Sequence, residues 1–359
     1  MTMTATTPDE FAGNLVGSML GALDTWAIYM GDKLGLYQAM AAEGTMTQPE
    51  LVSRTGIHAR YAQEWLEQQV TSGIITVDDP AKPTTERVYA LPEAHRTVLT
   101  DHDSLAYMSP FVRLIASAGV QLPQHVEAYR TGGGVSWEQF GPDIRTGQAD
   151  VNRPWFLQEL GNSWFPQVPE LHASLQDGGR VADIGCGEGW SSIAIALAYP
   201  QAIVDGYDID APSIEAARGH ATEAGVADRV TFHHADAAGA DEAIRYDVVT
   251  AFECLHDMPD PVSVMRRMRE LVKDDGVVFV MDEGVGDAFG DRDDEIERLM
   301  YGISLFVCLP DGMSHEGSVG TGTVMRPSTL GTYATEAGFS GVETLPIEND
   351  LWKFYRLRL

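Results

Sequence analysis

The chain has 359 residues, 44% apolar and 21% charged, which suits a soluble globular protein with room for two domains. Asp and Glu number 53 against 24 Lys and Arg, and the net charge of −29 argues against nucleic acid and anionic membranes as partners. Cys186, Cys254 and Cys308 form no CxxC pair or disulfide framework, no apolar run reaches membrane-span length, and Met1 to Thr7 lacks the basic and apolar regions of a secretory signal. The expectation is a cytoplasmic protein.

The first 100 residues read as a dimerisation domain. Phe11, Leu15, Met19, Leu23, Trp26 and Met30 recur at three- and four-residue steps, the pattern of an amphipathic helix. Gly13, Gly17 and Gly21 fall between them and would allow a close packed face, expected to be a homodimer interface. Residues 32 to 99 have the order of a winged helix: helices at 34–42, 48–55 and 60–72, then wing strands at 74–77 and 87–91. Its third helix sets Arg60 beside Glu64 and Glu67, too little positive charge for phosphate contacts. A cofactor-sensing winged-helix regulator is the rival from another function class, and this helix speaks against it.

Residues 101–178 read as a helical linker interrupted by Gly132, Gly133 and Gly134 and rich in aromatic residues. Tyr107, Trp155 and Trp164 from this stretch, with Met300 and Tyr301 further on, are the candidate walls of an apolar substrate pocket. All five also suit a core.

From 179 to 359 strands and helices alternate, which implies a doubly wound α/β sheet. Its opening sequence is Arg180-Val181-Ala182-Asp183-Ile184-Gly185-Cys186-Gly187-Glu188-Gly189-Trp190. A buried strand runs into a turn with Gly at 185, 187 and 189, followed by a helix stopped at Pro200. A dinucleotide fingerprint needs its third Gly where Trp190 stands, which disfavours a dehydrogenase. Asp183 precedes the turn and is expected to face a cationic amino group. Asp208, beside Ile209, ends the second strand and is placed for a ribose diol; Asp236 and Ala237 end the third and could read an adenine edge. The fourth strand runs out through Phe252-Glu253-Cys254-Leu255-His256-Asp257, beside the same cleft, and the fifth ends at Asp282 and Glu283.

Residues 180–282 resemble the core of the class I methyltransferases that use S-adenosylmethionine. The winged helix and Leu255-His256-Asp257 resemble the caffeic-acid-type small-molecule O-methyltransferases. The resemblance implies a Rossmann-like seven-stranded sheet, S-adenosylmethionine as cofactor with S-adenosylhomocysteine as product, and a small aromatic or apolar acceptor. It also implies that His256 is the general base, oriented by Asp282 or Glu283. Met258-Pro259 stands where that family has Trp, and the stretch from Pro310 to Pro327 has no counterpart there. No metal is expected. The closest rival reading is a C-methyltransferase with a metal held by His256 and His315.

Overall fold

The computed structural model describes residues 7–236, 244–290 and 294–359. The chain divides into two compact units, Met1–Ala116 and Ser117–Leu359, rather than the three expected segments. The linker is not a separate body: residues 117–178 belong to the same unit as the sheet.

In the first unit, α1 (Pro8–Lys33) starts at a capping box between Thr7 and Glu10. It is followed by α2 (Leu36–Glu43), α3 (Gln48–Thr55) and α4 (Ala59–Thr71). Strands β1 (Thr45–Thr47), β2 (Thr76–Val77) and β3 (Val88–Ala90) form a small antiparallel sheet in the order β1-β3-β2. The two wing strands were expected; β1 and the helix Glu93–Thr100 were not. Leu36, Tyr37, Met40, Leu51, Leu66, Ile75 and Tyr89 make the core. One side of α1 is tied to it, with the Trp65 indole donating to Ala27 O at 3.0 Å and Gly31 packed so tightly that a Cβ would lie 2.4 Å from Tyr37. Its other side leaves Phe11, Leu15, Met19, Leu23, Trp26 and Met30 exposed. Arg60 pairs with Glu64, and Arg87 pairs with Glu67 at 2.6 Å.

The second unit is built on a seven-stranded sheet: β4 (Arg180–Ile184), β5 (Ile203–Asp208), β6 (Val230–His234), β7 (Tyr246–Phe252), β8 (Val272–Glu283), β9 (Gly341–Thr344) and β10 (Trp352–Arg358). Its order is β6-β5-β4-β7-β8-β10-β9. The five strands from β4 to β8 are parallel, as their near-continuous Val, Ile and Ala runs require when both faces are covered. The last two are antiparallel, with β10 slotted between β8 and β9. One face carries Phe165, Ile193, Val248, Phe279 and Phe354, and the other Val249, Met265, Met268, Val278 and Tyr355. The order reverses at β4, so β4 and β7 flank the switch point where open sheets of this kind place a ligand.

Candidate active site

The loop between β4 and the helix Trp190–Ala198 turns through positive φ at all three glycines, +68° at Gly185, +51° at Gly187 and +85° at Gly189. Only Gly takes these angles without strain. The turn is latched to the end of β5. Gly185 and Cys186 both donate to Tyr207 O, at 2.9 and 3.2 Å, and Gly187 N–H donates to Asp208 Oδ2 at 2.8 Å. The other Asp208 oxygen accepts from Asp210 N at 2.8 Å. Burial raises the Asp208 carboxyl above its ordinary value, against the pull of these backbone donors. At Gly187 no described atom lies within 4 Å of where a Cβ would sit, so the crest of the turn faces open space. Gly189 is the opposite case, since its Cβ would meet Phe232 at 2.5 Å and Ala217 at 2.8 Å. Gly189→Ala therefore combines left-handed strain with overpacking, and should destabilise the second unit by about 2–4 kcal/mol in denaturant unfolding.

Several expected cofactor contacts take different places. Asp183 does not face the cleft. It is fully buried, and its carboxylate accepts from Ser191 Oγ and Ser192 Oγ at 2.6 Å and from Thr250 Oγ1 at 2.8 Å. It ties the first turn of the helix to β7, which sets the shape of the glycine loop from below. Phe252 is likewise a core residue, packed edge-on against Phe156 at 5.3 Å. Ile209 lies exposed beside Asp208 and Asp236 is exposed past the end of β6, while Ala237 lies outside the described residues. Asp210 caps the next helix and takes both Arg145 nitrogens, at 2.8 and 3.0 Å. Trp190, the residue that breaks the dinucleotide spacing, stacks on His220 at 4.5 Å, and the Arg153 guanidinium lies over its ring at 5.0 Å.

The turn after β7 abuts the glycine loop directly, because a Cβ on Gly185 would lie 2.7 Å from Cys254 Sγ. Glu253 opens this turn at φ +49°, alone among described non-glycine residues in that region, a conformation that costs of order 1 kcal/mol or more. What holds it there is non-local. Its N–H donates to Met281 O at 2.8 Å, and its carboxylate accepts from Asn152 Nδ2 and Trp352 Nε1. Burial pushes the Glu253 carboxyl up to about 7, and burial with the Glu253 charge pushes Glu283 well above its ordinary range.

His256 sits at the centre of this acidic group and is 2% exposed. Its Nδ1 donates to Asp282 Oδ1 at 2.8 Å, which leaves Nε2 facing Asp257 Oδ1 at 3.4 Å. Burial alone would drive the imidazole pKa down; the Asp257 and Asp282 charges on either side outweigh it and raise it well above its ordinary value. Asp282 Oδ1 also accepts from Glu283 N at 2.9 Å.

The stretch from Pro310 to Pro327 closes over this group as a strap. Gly322 N–H donates to His256 O at 3.1 Å, and Val319 N–H to Pro259 O at 3.0 Å. At its other end Val135 N–H donates to Pro310 O at 2.9 Å and Trp137 N–H to Asp311 Oδ1 at 2.6 Å. Gly134 fits so closely that a Cβ would lie 2.1 Å from Pro310 O. Burial and the Asp257 charge push Asp311 up to about 7. The strap brings Cys308, not His315, to His256: Cys308 is buried while His315 is exposed on the loop.

Of the candidate pocket walls, Trp164 is a core residue, 2% exposed between Phe156, Trp352 and Phe354. Trp155 is half-buried and meets Trp352 edge-on at 5.3 Å, one ring away from Glu253. Met300 is buried, and the Tyr301 hydroxyl accepts from Arg326 at 3.1 Å. Tyr107 is buried in the first unit, where its ring lies 4.8 Å from His102.

Comparison with known proteins agrees with this layout. A family profile described as a methyltransferase domain matches residues 175–300, and one described as an Rv2258c-like winged HTH domain matches residues 22–101. The ubiquinone biosynthesis O-methyltransferase of Vibrio campbellii is 33% identical over 189 residues, which cover 50% of this chain and 73% of that protein. The mitomycin 7-O-methyltransferase MmcR shares the fold over 99% of this chain and 100% of its own, with a TM-score of 0.72 at 21% identity. The O-methyltransferase NcsB1 from neocarzinostatin biosynthesis, solved with S-adenosylhomocysteine and 1,4-dihydroxy-2-naphthoic acid, shares it over 94% of this chain and 96% of its own, with a TM-score of 0.64 at 19% identity. With its parallel sheet, its glycine turn latched to Asp208 and its winged-helix partner domain, the chain belongs to the class I S-adenosylmethionine-dependent methyltransferases.

Proposed function

We propose that the protein methylates a hydroxyl group on a small aromatic molecule, with His256 as general base. The observation that carries this reading is the His256–Asp282 pair at 2.8 Å, in a turn that packs against the glycine loop through Cys254. The relatives named above support a phenolic acceptor, since they are O-methyltransferases and one was solved with a dihydroxynaphthoic acid.

The residues present fit the cofactor. Open space at Gly187 gives room for a close approach, and the exposed Ile209 offers apolar surface beside the Asp208 carboxylate. Glu253, Asp257, Glu283 and Asp311 are carboxyls raised by burial, with His256 the positive charge that the first three share, ground that favours a further cationic ligand. Gly185, Gly187, Gly189, Asp208, Ile209, Asp236 and Glu253 would hold it, with Asp183 shaping the loop beneath. When bound, S-adenosylmethionine supplies an activated sulfonium methyl. The protein's task is then to orient the acceptor oxygen, exclude water and take the hydroxyl proton. His256 Nε2 would receive that proton, and Asp282 on Nδ1 would fix the tautomer and stabilise the imidazolium that forms. Trp155, Met300 and Tyr301 would bound the acceptor's space. The exposed apolar side of α1 supports a homodimer, to be checked by light scattering.

The raised carboxyls make a signed prediction. Glu253 rises from 4.5 to about 7 and Asp311 from 3.8 to about 7, so the folded chain binds more protons than the unfolded chain across that interval. Stability without ligand is therefore highest below about pH 4 for these groups and falls as pH rises through 7. Added S-adenosylmethionine should offset the loss, giving a thermal shift larger at pH 8 than at pH 6, and larger than that of neutral-sulfur S-adenosylhomocysteine. No shift with either compound at either pH would refute the reading.

A further inference from the structure

The proton-accepting nitrogen of His256 has an unusual neighbour. Within the second unit, ligand atoms of His256, Asp257 and Cys308 all lie within 4.8 Å of one another. Cys308 ends a π-helical turn, Ser304–Cys308, which the strap beyond it holds in place. Such turns are frequent at functional sites.

Two further features point to a cation. Asp282 already occupies Nδ1, so Nε2 is the nitrogen left to ligate, the carboxylate–histidine arrangement found behind metal ions. Among the described residues Asp282 Oδ2 is buried with no hydrogen-bond donor, and the Asp257 carboxylate has only His256 Nε2, at 3.4 Å from Oδ1, and the Cys308 thiol beside it, although such oxygens are normally satisfied. One nitrogen, one oxygen and one sulfur form a donor set suited to Zn²⁺ or Co²⁺ and poorly suited to Mg²⁺ or Ca²⁺, which want oxygen.

We infer that His256, Asp257 and Cys308 form a site for a thiophilic divalent cation, and that its occupancy takes His256 Nε2 out of proton transfer and so inhibits the enzyme. Binding forms metal–nitrogen, metal–oxygen and metal–sulfur bonds, and the Cys308 thiol proton, together with the Nε2 proton of any His256 imidazolium, passes to solvent. No electrons change hands. The ligation stands on the geometry alone; the inhibition rests on the proposal that His256 is the base.

The test uses full-length protein stripped with chelator and kept reduced. Co²⁺ titration should show one equivalent bound, with near-ultraviolet thiolate-to-cobalt absorption, and excess Mg²⁺ should not displace it. Cys308→Ser should remove that absorption and weaken Co²⁺ and Zn²⁺ binding at least tenfold; Cys308→Ala should do the same, and a Cys186→Ser control should keep the band. Zn²⁺ should inhibit methyl transfer reversibly, with at least tenfold more needed in Cys308→Ser. Absence of the band, or unchanged affinity in folded Cys308 variants, overturns the site. Binding without inhibition overturns the coupling to His256. Calorimetry with S-adenosylmethionine on the same metal-free sample separates these results from a failure of the methyltransferase reading, which would show no heat of cofactor binding.

Discussion

His256→Ala should lower kcat by about 10²–10⁴-fold while leaving the affinity for S-adenosylmethionine within about twofold. The imidazole is buried among Asp257, Asp282 and the strap, so what the variant removes is the proposed proton acceptor and not a wall of the glycine loop. The pH dependence gives a second readout. Asp257 and Asp282 raise the proton affinity of His256, so its neutral fraction in the wild type grows with pH and the rate should climb with it. In His256→Asn that climb should vanish, leaving the slow rate set by the acceptor's own ionisation. Asp282→Asn should give an intermediate loss, because it keeps the volume but not the charge that stabilises the imidazolium. Unchanged kcat in His256→Ala with an identified acceptor would remove the residue from the mechanism.

Asp208→Ala should weaken cofactor binding by about 10–100-fold in calorimetry. Each Asp208 oxygen takes a backbone N–H, Gly187 on one side and Asp210 on the other. A hydrogen bond to a charged group contributes about 1.5–3 kcal/mol, and the alanine loses both while leaving Gly187 N–H without its acceptor. The glycine loop then has no latch at its crest. Asp210→Ala provides the contrast: it removes a helix cap and the Arg145 pair, so it should reduce stability more than affinity. Equal cofactor affinity in Asp208→Ala and wild type would show that the latch does not shape the site.

The sheet was legible because its signals are local. Val-rich runs, a Gly at every second position from 185 to 189 and an acid after each strand are read within one segment, and the alternation of strand and helix fixes the rest. The placement of His256 beside Asp282 was legible for the same reason, His256 standing after β7 and Asp282 at the end of its neighbour β8. What escaped depends on distant partners. Asp183 reads as cleft-facing from spacing, yet Thr250 comes to it from another strand and closes it off. Glu253 takes its conformation from Asn152 and Trp352, and no pattern around residue 253 reveals either. Cys308 drew no site reading from the sequence, because a π-helical turn shifts side chains off the ordinary helical period and delivers the sulfur to His256. Trp164 and Phe252 show the ambiguity of aromatic residues, whose area suits a core as well as a pocket wall.

The strap has a consequence for anyone who would graft acceptor preference between relatives. It is sewn to the 134–137 joint at Pro310 and Asp311, and to the His256 turn at Gly322. A chimera exchanging 309–326 alone would set a foreign backbone against Gly134, where there is no room for even one extra carbon. The transferable piece is therefore a pair of segments far apart in the chain, and a library that varies them together should yield far more folded members than one that varies either by itself.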